Sequence, residues 1–249
     1  MSDAVVRLAV WSGPRNISTA MMRAFENRPD AVVVDEPFYA YYLRATRAPH
    51  PLADEIITRG PTDWREVVRS LTAGDLGGRQ VQYQKQMTHH LLPEVDRSWL
   101  GQVFNCFLIR HPAEVIESYL KKNYRPTPAD LGFPQQVEIY ETVRRLTGRE
   151  PPVIDAADVL RDPRGTLGAL CRAVGLPMDE RMLSWPAGPR DSDGVWGPHW
   201  YGEVYRTTSF APYRPHPRQT PPELRDVLAA CLPDYERMYE RRLGGRSSC

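Results

Sequence analysis

The sequence predicts an α/β fold, a three-layer sandwich in which a central, mostly parallel sheet is flanked by helices. Three observations predict it. Short apolar runs at Arg7–Trp11, Ala31–Asp35 and Val103–Ile109 each precede a segment of helical period, the order that builds a parallel sheet. Ala31–Asp35 is apolar without alternation, as a strand buried on both faces of such a sheet would be. A chain of 249 residues, 41% hydrophobic and 25% charged, is large enough for one substantial core. Residues 1–243 therefore read as one domain, with 244–249 a frayed tail.

Charge and cysteine usage narrow the partners. With a formal net charge of +1 and no polybasic tract, neither a nucleic acid nor a membrane surface is expected. Lysine occurs at Lys85, Lys121 and Lys122 alone, so each lysine invites a question. Cys106, Cys171, Cys231 and Cys249 lie far apart with no metal-ligand spacing, which indicates neither a metal site nor a disulfide framework. The first residues run straight into a strand, and no apolar run nears the ~20 residues that span a bilayer. A cytoplasmic location is expected.

The first strand, Arg7–Trp11, leads through a glycine turn into a helix at Ser18–Asn27, with Met21, Met22 and Phe25 toward the sheet. Free N–H groups and the dipole at such a helix start favour a phosphate or sulfate. Gly13, Arg15, Asn16, Ser18 and Thr19 are the candidate anion-binding residues. No Gly-Lys pair precedes Ser18, so the nucleoside-triphosphate loop G-x-x-x-x-G-K-[ST] is absent. Something other than ATP is suggested. Ala31–Asp35 ends in Asp35, Glu36 and Pro37, at the carboxyl edge where ligands of open sheets collect. Glu36 is a candidate base or acceptor-binding residue, and equally an ion-paired or capping acid; Phe38 beside it is an acceptor-binding candidate.

Phe38–Thr46 and Trp64–Thr72 read as helices joined by a connection punctuated with proline and glycine. Gln80–Met87 alternates, placing Val81, Tyr83, Lys85 and Met87 on one strand face before Thr88, His89 and His90. A lysine is costly to bury unpaired, and histidines at a strand end suit proton transfer. Lys85, His89 and His90 are catalytic candidates. Val103–Ile109 stops at Arg110, and Pro112 opens a helix carrying Ser118 two turns in. Arg110 and Ser118 can converge on one small anion.

Helices follow at Pro134–Thr147 and after Asp162 and Pro163, with a short strand, Pro152–Asp155, between them. Thr220 and Glu223 have capping-box spacing ahead of an apolar stripe from Leu224 to Met238, with a kink expected at Pro233. The segment 185–218 is rich in aromatic residues and long for a connection, which marks a lid or substrate loop. Trp196, His199 and Trp200 are its acceptor-binding candidates.

Taken together, three motifs carry a resemblance. SGPRNISTAMM resembles the 5′-phosphosulfate loop of the sulfotransferase family, usually P-[KR]-S-G-[ST]-T; FLIRHPAEVIESYL is similar to that family's 3′-phosphate motif; KQMTHHLLP resembles the strand with its lysine and catalytic histidine. In this order they span Trp11 to Leu120, about half the chain. Ile17 stands where the family's loop has glycine, and Ala20 where an aromatic is common in the animal enzymes.

The resemblance implies a P-loop-type fold and the donor 3′-phosphoadenosine 5′-phosphosulfate (PAPS), with no metal required. It implies transfer of a sulfuryl group to a hydroxyl or amine of a small-molecule acceptor. Arg15, Ser18 and Thr19 would hold the 5′ end of the donor, Arg110 and Ser118 the 3′-phosphate, with Arg15 and Lys85 stabilising the leaving group. Because alternation puts His89 on the face of Lys85, His89 is preferred to His90 as general base, with Glu36 as rival. A P-loop kinase or other phosphotransferase, or a non-catalytic nucleotide-binding domain, are the alternative functions.

Overall fold

A computed structural model describes residues 5–121, 125–215 and 219–244. Lys122, Cys249 and the end of the aromatic segment at 216–218 lie outside the described residues.

Five strands form a single parallel sheet: β1 Val6–Ser12, β2 Ala31–Asp35, β3 Val81–Met87, β4 Phe104–Ile109 and β5 Val153–Asp155, in the order β2-β3-β1-β4-β5. The two-residue period of a strand sends alternate side chains to opposite faces, and β1 divides accordingly. Leu8 and Val10 join one apolar cluster with Met21, Met22 and Phe25; Ala9 and Trp11 join another with Phe107, Ile109 and Ile139.

The helices fill the two outer layers. The first cluster is built on α1 Ser18–Glu26, α8 Ala156–Arg161 and α9 Pro163–Ala173; the second on α4 Trp64–Ala73, α5 Pro112–Leu120, α7 Phe133–Thr147 and α11 Arg225–Tyr239. A smaller third cluster joins α2 Tyr39–Thr46 and α3 Ala53–Arg59 to Trp196 and Tyr201, next to the short α10 Gly197–Trp200; α6 Pro128–Leu131 precedes α7. The three-layer α/β sandwich expected from the sequence is the one observed.

Three details depart from expectation, each for a physical reason. β2 is an edge strand, so Val32, Val33 and Val34 are half-buried rather than enclosed on both faces. Helices α3, α6 and α8 have 7, 4 and 6 residues, too few for a 3.6-residue period to show. No capping box forms at Thr220. Pro221 is extended at ψ 146°, Pro222–Leu224 make a 3₁₀ turn, and α11 starts at Arg225; Thr220 Oγ1 is left buried without a partner.

The polar-looking β3 is buried at all seven positions. Its glutamines make this tolerable by bonding one another, since a buried amide without a partner is costly. Gln84 Nε2 donates to Leu71 O and to Gln82 Oε1, both at 2.8 Å, and Arg7 Nη1 donates to Gln82 Oε1 at 2.9 Å. Register then fixes the carboxyl edge. Ser12 lies beside Met87 and Leu108, and Asp35 beside Lys85, so the loops after β1, β2, β3 and β4 open on one side.

Candidate active site

The loop after β1 is held in an unusual conformation. Arg15 at φ 64° and Ile17 at φ 57° are both left-handed, a region that a β-branched side chain such as isoleucine avoids. Ile17 thus adopts a conformation that glycine takes without strain. It also stands at the N-cap of α1 without a side-chain cap, and Ser18 and Thr19 are buried in the first turn. No side chain at the cap takes up the N–H groups of this first turn, and a helix start of that kind favours an anion. Asn16 Nδ2 donates to Leu108 O at 3.3 Å, while its Oδ1 is buried without a partner. The loop is also pressed against α6: a Cβ on Gly13 would come within 2.3 Å of Leu131 O.

Arg110 and Ser118 meet this loop through Arg15. Arg110 Nη1 donates to Arg15 O and Arg15 Nε donates to Ser118 Oγ, each at 2.9 Å. Arg110 Nε also pairs with Glu114 Oε2 at 3.1 Å. Among the described residues no carboxylate pairs with Arg15. Burial first, and the like charge of Arg110 after it, lower the Arg15 pKa against the opposing pull of Tyr119 and Glu203.

At the ends of β2 and β3, Lys85 is 2% exposed and surrounded by acceptors. Its Nζ donates to Asp35 Oδ1 at 2.9 Å, to Tyr201 Oη at 2.8 Å, and to Glu36 Oε1. Tyr201 Oη in turn donates to Asp35 at 2.8 Å and accepts from Trp196 Nε1 at 2.9 Å. One buried ammonium therefore faces two carboxylates. The excess negative charge falls on Glu36, whose pKa is raised by burial and by Asp35 in spite of Lys85. Asp35 and Glu36 hold the Lys85 pKa above its ordinary value, although burial acts against its charge. Glu36 itself sits at φ 44°, strain of the kind that persists where surrounding contacts over-determine a site.

The alternation that aligns His89 with Lys85 stops at Met87, because Thr88–His90 turn as a 3₁₀ helix. His90 is 2% exposed and packs against the rings of Tyr39, 4.4 Å away, and Tyr42, 4.7 Å away. Its Nδ1 is 3.9 Å from Glu36 Oε2. His89 is half-buried, edge-on to Tyr42, and its Nδ1 is buried without a partner. Burial lowers both pKa values, that of His89 to about 4 and that of His90 well below its ordinary value, with the charges of His89, Lys85 and His50 adding to the effect at His90.

The aromatic segment covers the same edge. Trp196 and Tyr201 are buried, His199 is exposed, and Trp200 Nε1 donates to His50 Nε2 at 3.0 Å. Phe38, by contrast, is 1% exposed and packs on Trp99 in the core, with ring centroids 5.8 Å apart. A second anchor is Arg23, 1% exposed, which donates to both oxygens of Asp193 at 2.6 and 2.7 Å. Sequence reasoning named neither Tyr201 nor the Arg23–Asp193 pair as part of the site. Both link residues more than 100 positions apart, and no local spacing signals them.

A family model described as a sulfotransferase domain matches residues 6–242. The chain belongs to the sulfotransferase domain family. A curated relative, branched-chain-amino-acid aminotransferase-like protein 1 of Arabidopsis thaliana, is 36% identical over 225 residues, covering 90% of this chain. The chain spans 40% of the length of that relative and of a second Arabidopsis protein of the same kind. Among solved structures, a sulfotransferase from Alicyclobacillus acidocaldarius aligns over 96% of this chain and 98% of its own, with TM-score 0.55 and 15% identity. The sulfotransferase domain of the Synechococcus PCC 7002 olefin synthase covers 92% of this chain and 95% of its own, with TM-score 0.50 and 16% identity. These structural likenesses concern the fold. No helix among the described residues of this sulfotransferase-family chain is long and apolar enough to cross a membrane.

Proposed function

We propose that the protein transfers a sulfuryl group from PAPS to a hydroxyl or amine of a small-molecule acceptor. The observation that carries this reading is the cradle after β1. A helix start with no side-chain cap adjoins Arg110, which donates to the Arg15 carbonyl oxygen, and Arg15, whose guanidinium pairs with no carboxylate among the described residues. Such a place suits a doubly anionic ligand and lacks the Gly-Lys pair that grips a triphosphate.

The loop from Gly13 to Thr19 would hold the 5′-phosphosulfate, with Arg110 and Ser118 at the 3′-phosphate. The acceptor oxygen attacks sulfur in line, its bond to sulfur forming as the bond from sulfur to the 5′-phosphate oxygen breaks. The negative charge left on that oxygen is stabilised by the α1 N-terminus and the loop hydroxyls. The acceptor proton passes to His89. It is the half-buried member of the histidine pair, whereas His90 is buried against Tyr39 and Tyr42. Lys85 holds Asp35 and Glu36 in place, and Glu36 is the competing base. Phe38 acts from the core behind the site, while Trp196, His199 and Trp200 lie on the segment that would cover the acceptor.

Calorimetric titration with 3′,5′-adenosine bisphosphate, run beside ATP with magnesium, tests the proposal. Tight binding of the bisphosphate, weakened in Arg110→Ala, is expected. Binding of magnesium ATP in its place would favour a phosphotransferase, and binding of neither would overturn the donor assignment.

A further inference from the structure

Two carboxylates and one ammonium meet at the ends of β2 and β3, and the two carboxylates do not share the available donors equally. Asp35 takes three: Lys85 Nζ at 2.9 Å, Tyr201 Oη at 2.8 Å and the backbone N–H of Gly194 at 3.0 Å. Two of these come from the aromatic segment. Glu36 takes Lys85 Nζ on Oε1, and Tyr201 Oη is 3.4 Å from that same oxygen. A tyrosine has one hydroxyl proton to give. Its oxygen already accepts from Lys85 at 2.8 Å and from Trp196 Nε1 at 2.9 Å, which turns that proton toward the nearer carboxylate, Asp35.

Charge then has to balance out of reach of water. The side chains of Lys85 and Asp35 are 2% exposed and that of Glu36 is 10% exposed, and an unmatched ion there is costly. One ammonium matches one carboxylate, so the other takes up a proton from solvent. The remaining groups beside Glu36 do not supply the missing positive charge. Tyr39 on α2 bears none, and His90, with Nδ1 3.9 Å from Glu36 Oε2, has its pKa pushed down by burial. Burial acts on Glu36 in the opposite sense and raises its pKa. His90 Nδ1 is also buried without a partner. A proton on Glu36 Oε2 would face it.

We infer that Tyr201 is a positioning residue on the acceptor side: its hydroxyl fixes Asp35 as the ionised partner of Lys85 and sends the extra proton to Glu36. Glu36 then meets the acceptor as a hydrogen-bond donor, and the base work stays with His89. That part in the reaction rests on the proposed sulfuryl transfer and deepens it, whereas the place of the proton needs no donor to be bound. The segment that covers the acceptor thereby sets the ionisation beneath it, since without Tyr201 and Gly194 in place Asp35 loses two of its three donors.

The test is infrared spectroscopy of the full chain at about pH 8, with ¹³C in the side-chain carboxyl of either its glutamates or its aspartates. At that pH Asp155, whose pKa burial pushes up to about 6, is ionised and adds no acid band. The parent is expected to show a carboxylic-acid C=O band that shifts with the glutamate label and disappears in Glu36→Gln. Tyr201→Phe keeps the ring and removes the hydroxyl. It is expected to move the proton ratio at least about tenfold toward Asp35, as for loss of one hydrogen bond to a charged group, so that a band shifting with the aspartate label grows at the expense of the other. Trp196→Phe disturbs the same segment but leaves that hydroxyl, and is expected to keep the band on glutamate. An aspartate band or no acid band in the parent overturns the inference, and those spectra need no variant. So does a glutamate band that Tyr201→Phe leaves unchanged, or one that Trp196→Phe reduces equally. Failure of 3′,5′-adenosine bisphosphate to bind removes the donor reading and leaves these spectra as they are.

Discussion

His89 and Lys85 show how burial changes what a residue can do. A histidine with a folded pKa of about 4, against about 6.5 when unfolded, binds its proton more readily in the unfolded chain. Its contribution to stability is therefore fully present above about pH 6.5 and is lost as pH falls toward 4. His89→Gln should flatten this acid limb by about 2 kcal/mol in denaturant titrations at pH 4 and 7. The same shift bears on catalysis. If His89 is the base, kcat/KM should hold its plateau well below pH 6.5, and His89→Ala should cut kcat by about 10²- to 10⁴-fold with bisphosphate affinity kept. Full activity in that variant, with the loss moved to Glu36→Gln, would transfer the role to the carboxylate. Lys85 is the opposite case, an ion whose burial depends on its partners. Lys85→Met leaves Asp35 and Glu36 facing each other and should cost about 3–5 kcal/mol of unfolding free energy; a variant as stable as the parent would show that the carboxylates simply take up protons.

Elements meet at this site with little spare room. The β1 to α1 turn touches the α6 to α7 turn, where a Cβ on Gly132 would lie 2.4 Å from Thr88 Oγ1 and Gly132 itself has φ 75°. Thr88 Oγ1 donates to Gly132 O at 3.1 Å and begins the turn that carries both histidines. Gly132→Ala should therefore lower the melting temperature, by the equivalent of about 1–3 kcal/mol, and reduce kcat more than donor affinity. Gly13→Ala should do the reverse, since its clash is with the backbone of Leu131 beside the anion loop. Comparing kcat with bisphosphate affinity in the two variants checks this division. The helices that escaped sequence reading, α3, α6, α8 and α10, are those shorter than the window in which their period can be read.

At the scale of the molecule, residues 185–215 form a strap rather than a loose loop. Trp185 N donates to Thr208 O at 2.8 Å and Gly188 N to Tyr205 O at 2.9 Å, so the segment closes on itself. Arg23 grips it through Asp193, and Lys85 through Tyr201. Asp193→Asn leaves the buried guanidinium of Arg23 with Glu26 as its ion-pair partner, 3.1 Å away, and limited proteolysis should then cut within 185–215 faster than in the parent, with about 1.5–3 kcal/mol lost from stability. Unchanged cleavage would mean that Tyr201 and the aromatic packing of Trp185 on Phe210 hold the strap alone.

The sequence by itself determined the sandwich, four strand ends that carry chemistry, and the anion loop with its departure from a triphosphate motif. These are local facts, because apolar period, glycine turns and strand-end residues are written within a few positions of one another. It also offered Arg110 and Ser118 as candidates for one anion. Only the tertiary structure decided that Arg15 stands between them, that Lys85 belongs to Asp35, Glu36 and Tyr201, and that His90 is enclosed while His89 is not. Each of those outcomes depends on contacts between distant parts of the chain. In β3 the alternation ran out where a strand became a 3₁₀ turn, and in the strap a buried ion pair, Arg23–Asp193, and a buried hydrogen bond, Lys85–Tyr201, join residues more than 100 positions apart. Side-chain period records which face a residue takes, whereas the partner it meets is set by how the layers close over the sheet.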